Sequence, residues 1–507
     1  MSDDTVHAAL RSDARLVAIE APAGCGKTHQ GAEYAKDIAI AKAAGRPLIL
    51  THTHAACSVF AARTRGSAAR VDICTIDSLV GQIASVYHAG LGLPADTATW
   101  ARRTKNGHAE LASKVAALMR RHAMVADVVA SRHPIVICDE HQDTSRDQHS
   151  IIKAMHDKGA ALRVFADPMQ RIFGDRAAGD ETGCDWDALT REANAFEALN
   201  TPHRWQGGGC SELGAWTLAA RRNLLDGGTI DLRDGHRPES VSVVIAENRA
   251  QRNLAYQLSQ QDRRAVDAFE QQHTSLLVMT RHNETALSLR SFFNRRLPLW
   301  EGYTRYALDR LVDATGEAGE DCQHLGSAVV AFMGQVGIGF TPSAFGSVFE
   351  REIREGCASS RRGKPAKLQE LARLLLAQPD HRGIAAVLQR VAALVESDPD
   401  FSAVKLDCKK EFWDATQLAA FATVEDGLAE ITRRRNFARP KPPAKAISIV
   451  HKAKGLECEA AIVMPCDRST FPDNAVARCL LYVALSRAKS RLMIVVPPAN
   501  QSPLVLR

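Results

Sequence analysis

The chain has 507 residues, is 45% hydrophobic and 24% charged, and carries a formal net charge of +6. That length exceeds what one core can organise, so about two to four domains are expected. No apolar run approaches the ~20 residues of a membrane span, and Met1-Ser2-Asp3-Asp4 is not a secretory signal, so we expect a cytoplasmic protein with no membrane partner.

Short apolar runs that read as buried parallel strands alternate with helical patterns in two separated regions. The first region holds Leu16 to Ile19, Pro47 to Thr51, Val71 to Ile76, Ile135 to Cys138 and Leu162 to Ala166. The second holds Val241 to Ile245, Ser275 to Met279, Ala446 to Val450, Ala460 to Met464 and Leu492 to Val496. This alternation predicts an α/β protein with two parallel-sheet lobes. Helix-rich stretches interrupt each lobe, from about Gly81 to Ser131 and from about Leu299 to Arg435. The basic, proline-rich run from Arg433 to Pro443 reads as a linker. Twelve cysteines are scattered singly, with no Cys-x-x-Cys pair. That usage fits a reducing compartment and argues against zinc ribbons and iron–sulfur clusters.

The first chemical signal is Ala21-Pro22-Ala23-Gly24-Cys25-Gly26-Lys27-Thr28, between a strand and a helical pattern. Such a loop offers backbone N–H groups and a helix N-terminus to phosphate. Residues Ala23, Gly24, Cys25, Gly26, Lys27 and Thr28 are the candidate nucleotide cradle. Lys27 would neutralise the β- and γ-phosphates, and the Thr28 hydroxyl would ligate a magnesium ion (Mg2+). The second signal is Asp139-Glu140-His141-Gln142-Asp143-Thr144, directly after an apolar strand. Asp139 suits a magnesium ligand and Glu140 a base for the attacking water. An acidic helix cap is the bland alternative. It weakens because another strand ends at Asp167-Pro168-Met169-Gln170, where Gln170 can report on a γ-phosphate. Together these residues predict ATP hydrolysis. Phosphoryl transfer also needs arginine, and Arg204 and Arg487 are the candidates. His52-x-His54 has no acidic or Cys partner nearby and reads as strand-end polarity, not a metal site.

Taken in order, these residues resemble superfamily 1A helicases of the UvrD/Rep/PcrA type. The phosphate loop is similar to motif I, Leu50 to Ala56 to motif Ia, and Thr75 to Leu79 to motif Ib. Asp139 to Thr144 resembles motif II, Asp167 to Phe173 motif III, and Asn200 to Arg204 motif IV. Val450 to Glu457 resembles motif V, and Tyr482 to Lys489 motif VI. The resemblance implies two RecA-like parallel-sheet domains of the P-loop NTPase kind, with ATP and Mg2+ between them. Residues 1–80 and 132–198 would form domain 1A, and 199–297 and 441–507 domain 2A. Residues 81–131 and 298–440 would be the helical insertions 1B and 2B. Glu457 would contact the nucleotide sugar and His203 would stack on its base. His52 and Phe173 match base-stacking positions, and Thr53 and His451 lie near the nucleic-acid path. The implied activity is an ATP-dependent DNA helicase or translocase moving 3′ to 5′ on single-stranded DNA, such as a 3′-tailed duplex.

Several positions depart from the pattern. No adenine-reading glutamine motif is visible before Val17, His203 replaces a tyrosine, and Asp77 replaces a histidine. The departures fall mainly where a strand would be gripped, and both insertions are short. A second reading follows: a DNA-stimulated regulatory ATPase subunit that switches a protein effector such as a nuclease, in anti-phage defence or repair.

Overall fold

The structure is a computed structural model that describes residues 2–40, 45–65, 71–104, 106–172, 183–249, 256–300, 306–406, 408–438 and 443–507. The chain divides into two compact units, Met1–Gly302 with Lys441–Arg507, and Tyr303–Pro440.

The first unit holds two large parallel sheets, besides a short parallel pairing of Val505–Leu506 with Ile230–Asp231. One contains β1 (Leu16–Glu20), β2 (Leu48–Thr51), β3 (Asp72–Thr75), β4 (Ile135–Cys138), β5 (Ala161–Ala166) and β6 (Ala195–Ala198). Their order is β3-β2-β4-β5-β1-β6, and every pairing is parallel. Strands β1, β2 and β4 are near-continuous apolar runs because both faces are covered. Leu16 and Ala18 of β1 face a core with Leu48, Val136 and Leu162, while Val17 and Ile19 face another with Val6, Leu10, Phe60 and Phe165.

The second sheet contains β7 (Val241–Ile245), β8 (Leu276–Thr280), β9 (Lys445–Ile449), β10 (Cys458–Val463) and β11 (Ala488–Val496). Its order is β9-β8-β10-β11-β7, again parallel throughout. Helix Ala475–Leu485, N-capped by the Asn474 side chain, is buried along most of its length. It belongs to a core that also contains Ala23, Met169 and Ile172 from the first lobe, so an apolar seam joins the two lobes.

Each of the ten expected strands forms, although β11 starts earlier, at Ala488. The edge strand β6 was not expected. It is four residues long, its burial alternates, and Phe196 is exposed, so it lacks a continuous apolar run. The expected helical stretch 81–131 carries most of helix Ile76–Val86, then Thr97–Arg103, Gly107–Arg121 and most of Ala123–Arg132. Leu79, Ile83, Leu111, Val115 and Met119 share the core of the first sheet and do not build a separate one.

The second unit is mainly helical, with a core that includes Leu325, Phe332, Phe349, Leu371, Leu388, Phe401 and Phe412. Helices Lys364–Ala377 and His381–Ser397 carry the apolar spacing seen in the sequence. The expected linker from Arg433 is corrected in part: helix Val424–Ala438 runs through its first half. Residues 439–442 lie outside the described residues. We expect Leu388→Ala, at a fully buried position, to destabilise this unit by about 2–5 kcal/mol in urea unfolding. A cost near zero would contradict the packing described.

Candidate functional site

The order of the first sheet builds the site. β4, β5 and β1 are immediate neighbours and parallel, so their carboxyl ends lie on one edge. Such edges are where ligands bind in open α/β sheets. Residues 21–26 follow β1, with the Ala21 N–H bonded to the Ala166 carbonyl at 2.8 Å. Gly24 and Gly26 have φ of +75° and +86°, which side-chain-bearing residues rarely adopt. Close approach adds a second constraint, since a Cβ on Gly24 would stand 2.7 Å from the Trp205 ring. Lys27 and Thr28 then open helix Lys27–Ile40. The Cys25 thiol is buried, which pushes it up to about 12, so it is a packing group and not a nucleophile.

At the end of β4, Asp139 is buried, and among the described residues its Oδ1 has no hydrogen-bond partner. Glu140 follows with φ +54°, a left-handed conformation that costs about 1–3 kcal/mol outside glycine. Two contacts hold it there: Lys27 Nζ pairs with Oε1, and Gln142 Nε2 donates to Oε2. Lys27 Nζ also stands 3.5 Å from Asp139 Oδ1. Burial raises the Asp139 carboxyl above the ordinary range, and Lys27 offsets only part of that. Burial would raise Glu140 too, but Lys27 and Lys454 outweigh it and hold the carboxyl well below the usual range. Burial likewise disfavours the Lys27 charge, yet Asp139 and Glu140 overcome it and shift the ammonium upward. The loop therefore carries an ionised carboxylate beside an ionised lysine at neutral pH.

Gln170 follows β5, and its Nε2 donates to Asp167 Oδ2 at 2.9 Å. Its carbonyl accepts from Lys454 Nζ at 2.7 Å, and Lys454 also pairs with Asp143. Arg204 N donates to the Gly24 carbonyl at 3.1 Å, which ties it to the phosphate loop. Its guanidinium bonds Glu457 Oε1 at 2.6 Å and the Ser486 carbonyl at 2.7 Å. Glu457 also pairs with Lys489 at 3.0 Å. Arg487 is 2% exposed. Its hydrogen bonds go to the Val483 and Leu456 carbonyls and to Ser486 Oγ, at 2.9, 3.2 and 2.7 Å. All three acceptors are neutral. Burial, reinforced by Arg204, lowers this guanidinium to about 10. His203 Nε2 lies 3.1 Å from Asp3 Oδ1, which places the N-terminal helix beside the Gly26 turn.

Three residues in the site were given no role from sequence. Tyr482 is fully buried, and its hydroxyl accepts from the Ala23 N–H at 2.8 Å. Trp205 fills the space above Gly24 and donates to the Ala488 carbonyl at 2.8 Å. Arg221 bonds Asp167 Oδ1 through Nε and Nη2 at 3.0 and 2.7 Å, and Glu20 Oε1 at 2.7 Å. It thereby ties together the residues that end β1 and follow β5. A signal for Arg221 existed: it shares the buried stripe Leu213, Thr217, Ala220 and Leu224 of helix Ser211–Leu225.

Of the expected nucleic-acid residues, His52 borders this cluster and lines a small cavity with Asp139, His141 and Thr144. His52 Nε2 lies 3.1 Å from Thr144 Oγ1, and burial lowers its pKa. Thr53 is exposed and caps helix His54–Arg63 by accepting from the Ala56 N–H at 3.1 Å. His451 bonds the backbone of Ile172. Phe173 lies outside the described residues.

Two family models match the chain: the UvrD/REP helicase N-terminal domain over residues 97–182, and the UvrD-like helicase C-terminal domain over residues 445–495. The first spans Asp139, Glu140 and Gln170, and the second spans Glu457 and Arg487. A search of curated proteins found no significant match. Among solved structures, the chain is similar to the crystal structure of Pif1 helicase from Candida albicans, at 15% identity and a TM-score of 0.28. The match covers 53% of this chain and 53% of that one, so the chain spans about half of that structure's length. Likeness this weak carries no weight for function. Among the described residues, no helix is long and apolar enough to cross a membrane.

Removing Arg221 would leave Asp167, which is fully buried, without its counter-ion. We expect Arg221→Ala to cost about 3–5 kcal/mol in denaturant unfolding. A loss below about 1 kcal/mol would show that this bridge is not what joins the two strand ends.

Proposed function

Because the chain belongs to the UvrD-like superfamily 1 helicases, we propose that it hydrolyses ATP in the seam between its two parallel-sheet lobes. We further propose that hydrolysis drives a DNA helicase or translocase 3′ to 5′ along single-stranded DNA. The observation that carries the ATPase reading is Arg487, a fully buried cation whose hydrogen bonds among the described residues go to neutral acceptors. Glu457 and Glu140 offset only part of the cost of burying this charge, and a polyphosphate bonded to it would relieve the rest.

The residues divide the work as follows. The N–H groups of Ala23 to Thr28 cradle phosphate, and Lys27 neutralises the β- and γ-oxygens. In the structure Lys27 is held by Glu140 and Asp139, so phosphate competes with those carboxylates for it. Once Lys27 turns to phosphate, Glu140 Oε1 is released while Gln142 still holds Oε2. Glu140, already ionised, then orients the attacking water and accepts its proton. The buried Oδ1 of Asp139, which meets Lys27 at 3.5 Å but has no hydrogen-bond partner among the described residues, fits a magnesium ligand, with the Thr28 hydroxyl as the second. Magnesium, when bound, supplies positive charge to the phosphate oxygens. Arg204 and Arg487 stabilise charge in the transition state, and Gln170 reports the γ-phosphate. Glu457 meets the nucleotide sugar, and His203 stacks on the base. His52, Thr53, Phe173 and His451 line the path of single-stranded DNA.

One observation favours a second reading, a regulatory ATPase subunit that switches a protein effector. The helices of 81–131 are packed into the core of the first sheet, so this segment does not form an independent arm against duplex DNA.

We expect single-stranded DNA to stimulate phosphate release and Lys27→Ala to abolish it in a steady-state assay. Strong ATPase activity indifferent to DNA and RNA would sink the motor reading. Arg487→Ala should lower kcat by about 10³-fold or more, and an unchanged kcat would remove it from the reaction. Strand-displacement assays on 3′-tailed and 5′-tailed duplexes test the direction, with unwinding expected on the 3′-tailed substrate. Weak unwinding together with a co-purifying effector would favour the second reading.

A further inference from the structure

Behind the carboxylate loop, three potential metal ligands from separate segments converge. His141 follows Glu140, His149 lies on helix Arg146–Asp157, and Cys184 lies beyond residues 173–182. The backbone fixes their approach. The Cys184 N–H bonds the Thr144 carbonyl at 3.0 Å, and Gly183 bridges Ser145. His141 Nε2 lies 3.0 Å from His149 Nδ1, and Cys184 Sγ lies 3.5 Å from the same His149 Nδ1. The three atoms are all within 4.8 Å of one another.

The Cys184–His149 separation matches an edge of a coordination tetrahedron, while the 3.0 Å His141–His149 pair is somewhat shorter than one. Zinc bonds of about 2.0–2.1 Å to nitrogen and 2.3 Å to sulfur give edges of roughly 3.4 Å (N–N) and 3.6 Å (N–S). An outer shell is also present. Thr144 Oγ1 lies 3.2 Å from His141 Nδ1 and 3.1 Å from His52 Nε2. If Thr144 accepts from His141 Nδ1–H and donates to His52, the Nε2 lone pair of His141 points at the cluster, the arrangement that metal-bound histidines use. His141 and Cys184 are buried, while His149 is half-buried and gives access.

We propose that His141 Nε2, His149 Nδ1 and Cys184 Sγ bind one zinc ion. Two imidazoles and a thiolate suit zinc, whereas magnesium takes oxygen ligands. Binding releases the Cys184 thiol proton to solvent, and water takes the fourth position. The ion pins the turn after Glu140 to the next helix and to the chain at Cys184, so its role is to hold this loop. It is separate from the oxygen-donor site at Thr28 and Asp139 and does not rest on the ATPase reading.

The test uses the full chain expressed in zinc-supplemented medium, desalted and measured for zinc by plasma mass spectrometry. We expect one zinc ion per chain in the wild type and in the control Cys322→Ser, and its loss in Cys184→Ser and His149→Ala. Thr144→Val should bind zinc about 10–100-fold more weakly. If a ligand variant does not fold, two wild-type measurements still decide. The cobalt(II) form should show a thiolate-to-cobalt charge-transfer band, and chelation should lower the thermal midpoint. A wild type that neither retains zinc nor takes up zinc or cobalt on titration overturns the proposal. Full zinc occupancy in Cys184→Ser does so as well.

Discussion

Everything at the seam depends on the adjacency of β4, β5 and β1 in one parallel sheet. Parallel neighbours end on the same edge, so the phosphate loop, the Asp139-Glu140 pair and Asp167 are delivered together. Gathering Glu20, Asp139, Glu140 and Asp167 there is unfavourable unless cations are interleaved. Arg221 supplies one for Glu20 and Asp167, and Lys27 one for Asp139 and Glu140. Arg221 is shifted further toward its charged form because Asp167 outweighs the effect of burial. The sheet concentrates the acids, and the two cations let it fold with them in place.

The second lobe meets this edge with further charge. Lys454 reaches Asp143 and the Gln170 carbonyl, and Arg204 is tied to the Gly24 carbonyl while its guanidinium holds Glu457. Tyr482 adds a hydroxyl to the Ala23 amide. These contacts link the segments that follow β1, β4 and β5 in one lobe to helices and loops of the other. A ligand that draws Lys454 away from Asp143, or shifts the loop after β1 against Arg204 and Tyr482, therefore alters the contacts between the lobes.

Much of this was legible in the sequence because it is local. A glycine-rich turn between strand and helix, and paired acids after an apolar run, are contiguous and carry their own chemistry. The buried parallel strands were equally plain, since two covered faces demand unbroken apolar residues. What escaped is non-local. Arg221 lies on a helix far along the chain, and only its place on a buried stripe betrays it. The pairing of Asp3 with His203 joins residues near opposite ends of the first 203 positions. The edge strand β6 has too little apolar content to announce itself. Scattered single cysteines argued against metal clusters of regular spacing, yet His141, His149 and Cys184 meet through tertiary folding alone.

The central claim is that Glu140 activates water for a nucleotide bound at the loop of Lys27. Replacing Glu140 by glutamine keeps its size and its contact with Gln142 but removes the proton acceptor. Calorimetric titration of ATP with magnesium, paired with single-turnover phosphate release on single-stranded DNA, measures binding and chemistry separately. The account predicts that Glu140→Gln binds ATP at least as tightly as the wild type and releases almost no phosphate. Phosphate release at the wild-type rate by the variant would contradict it.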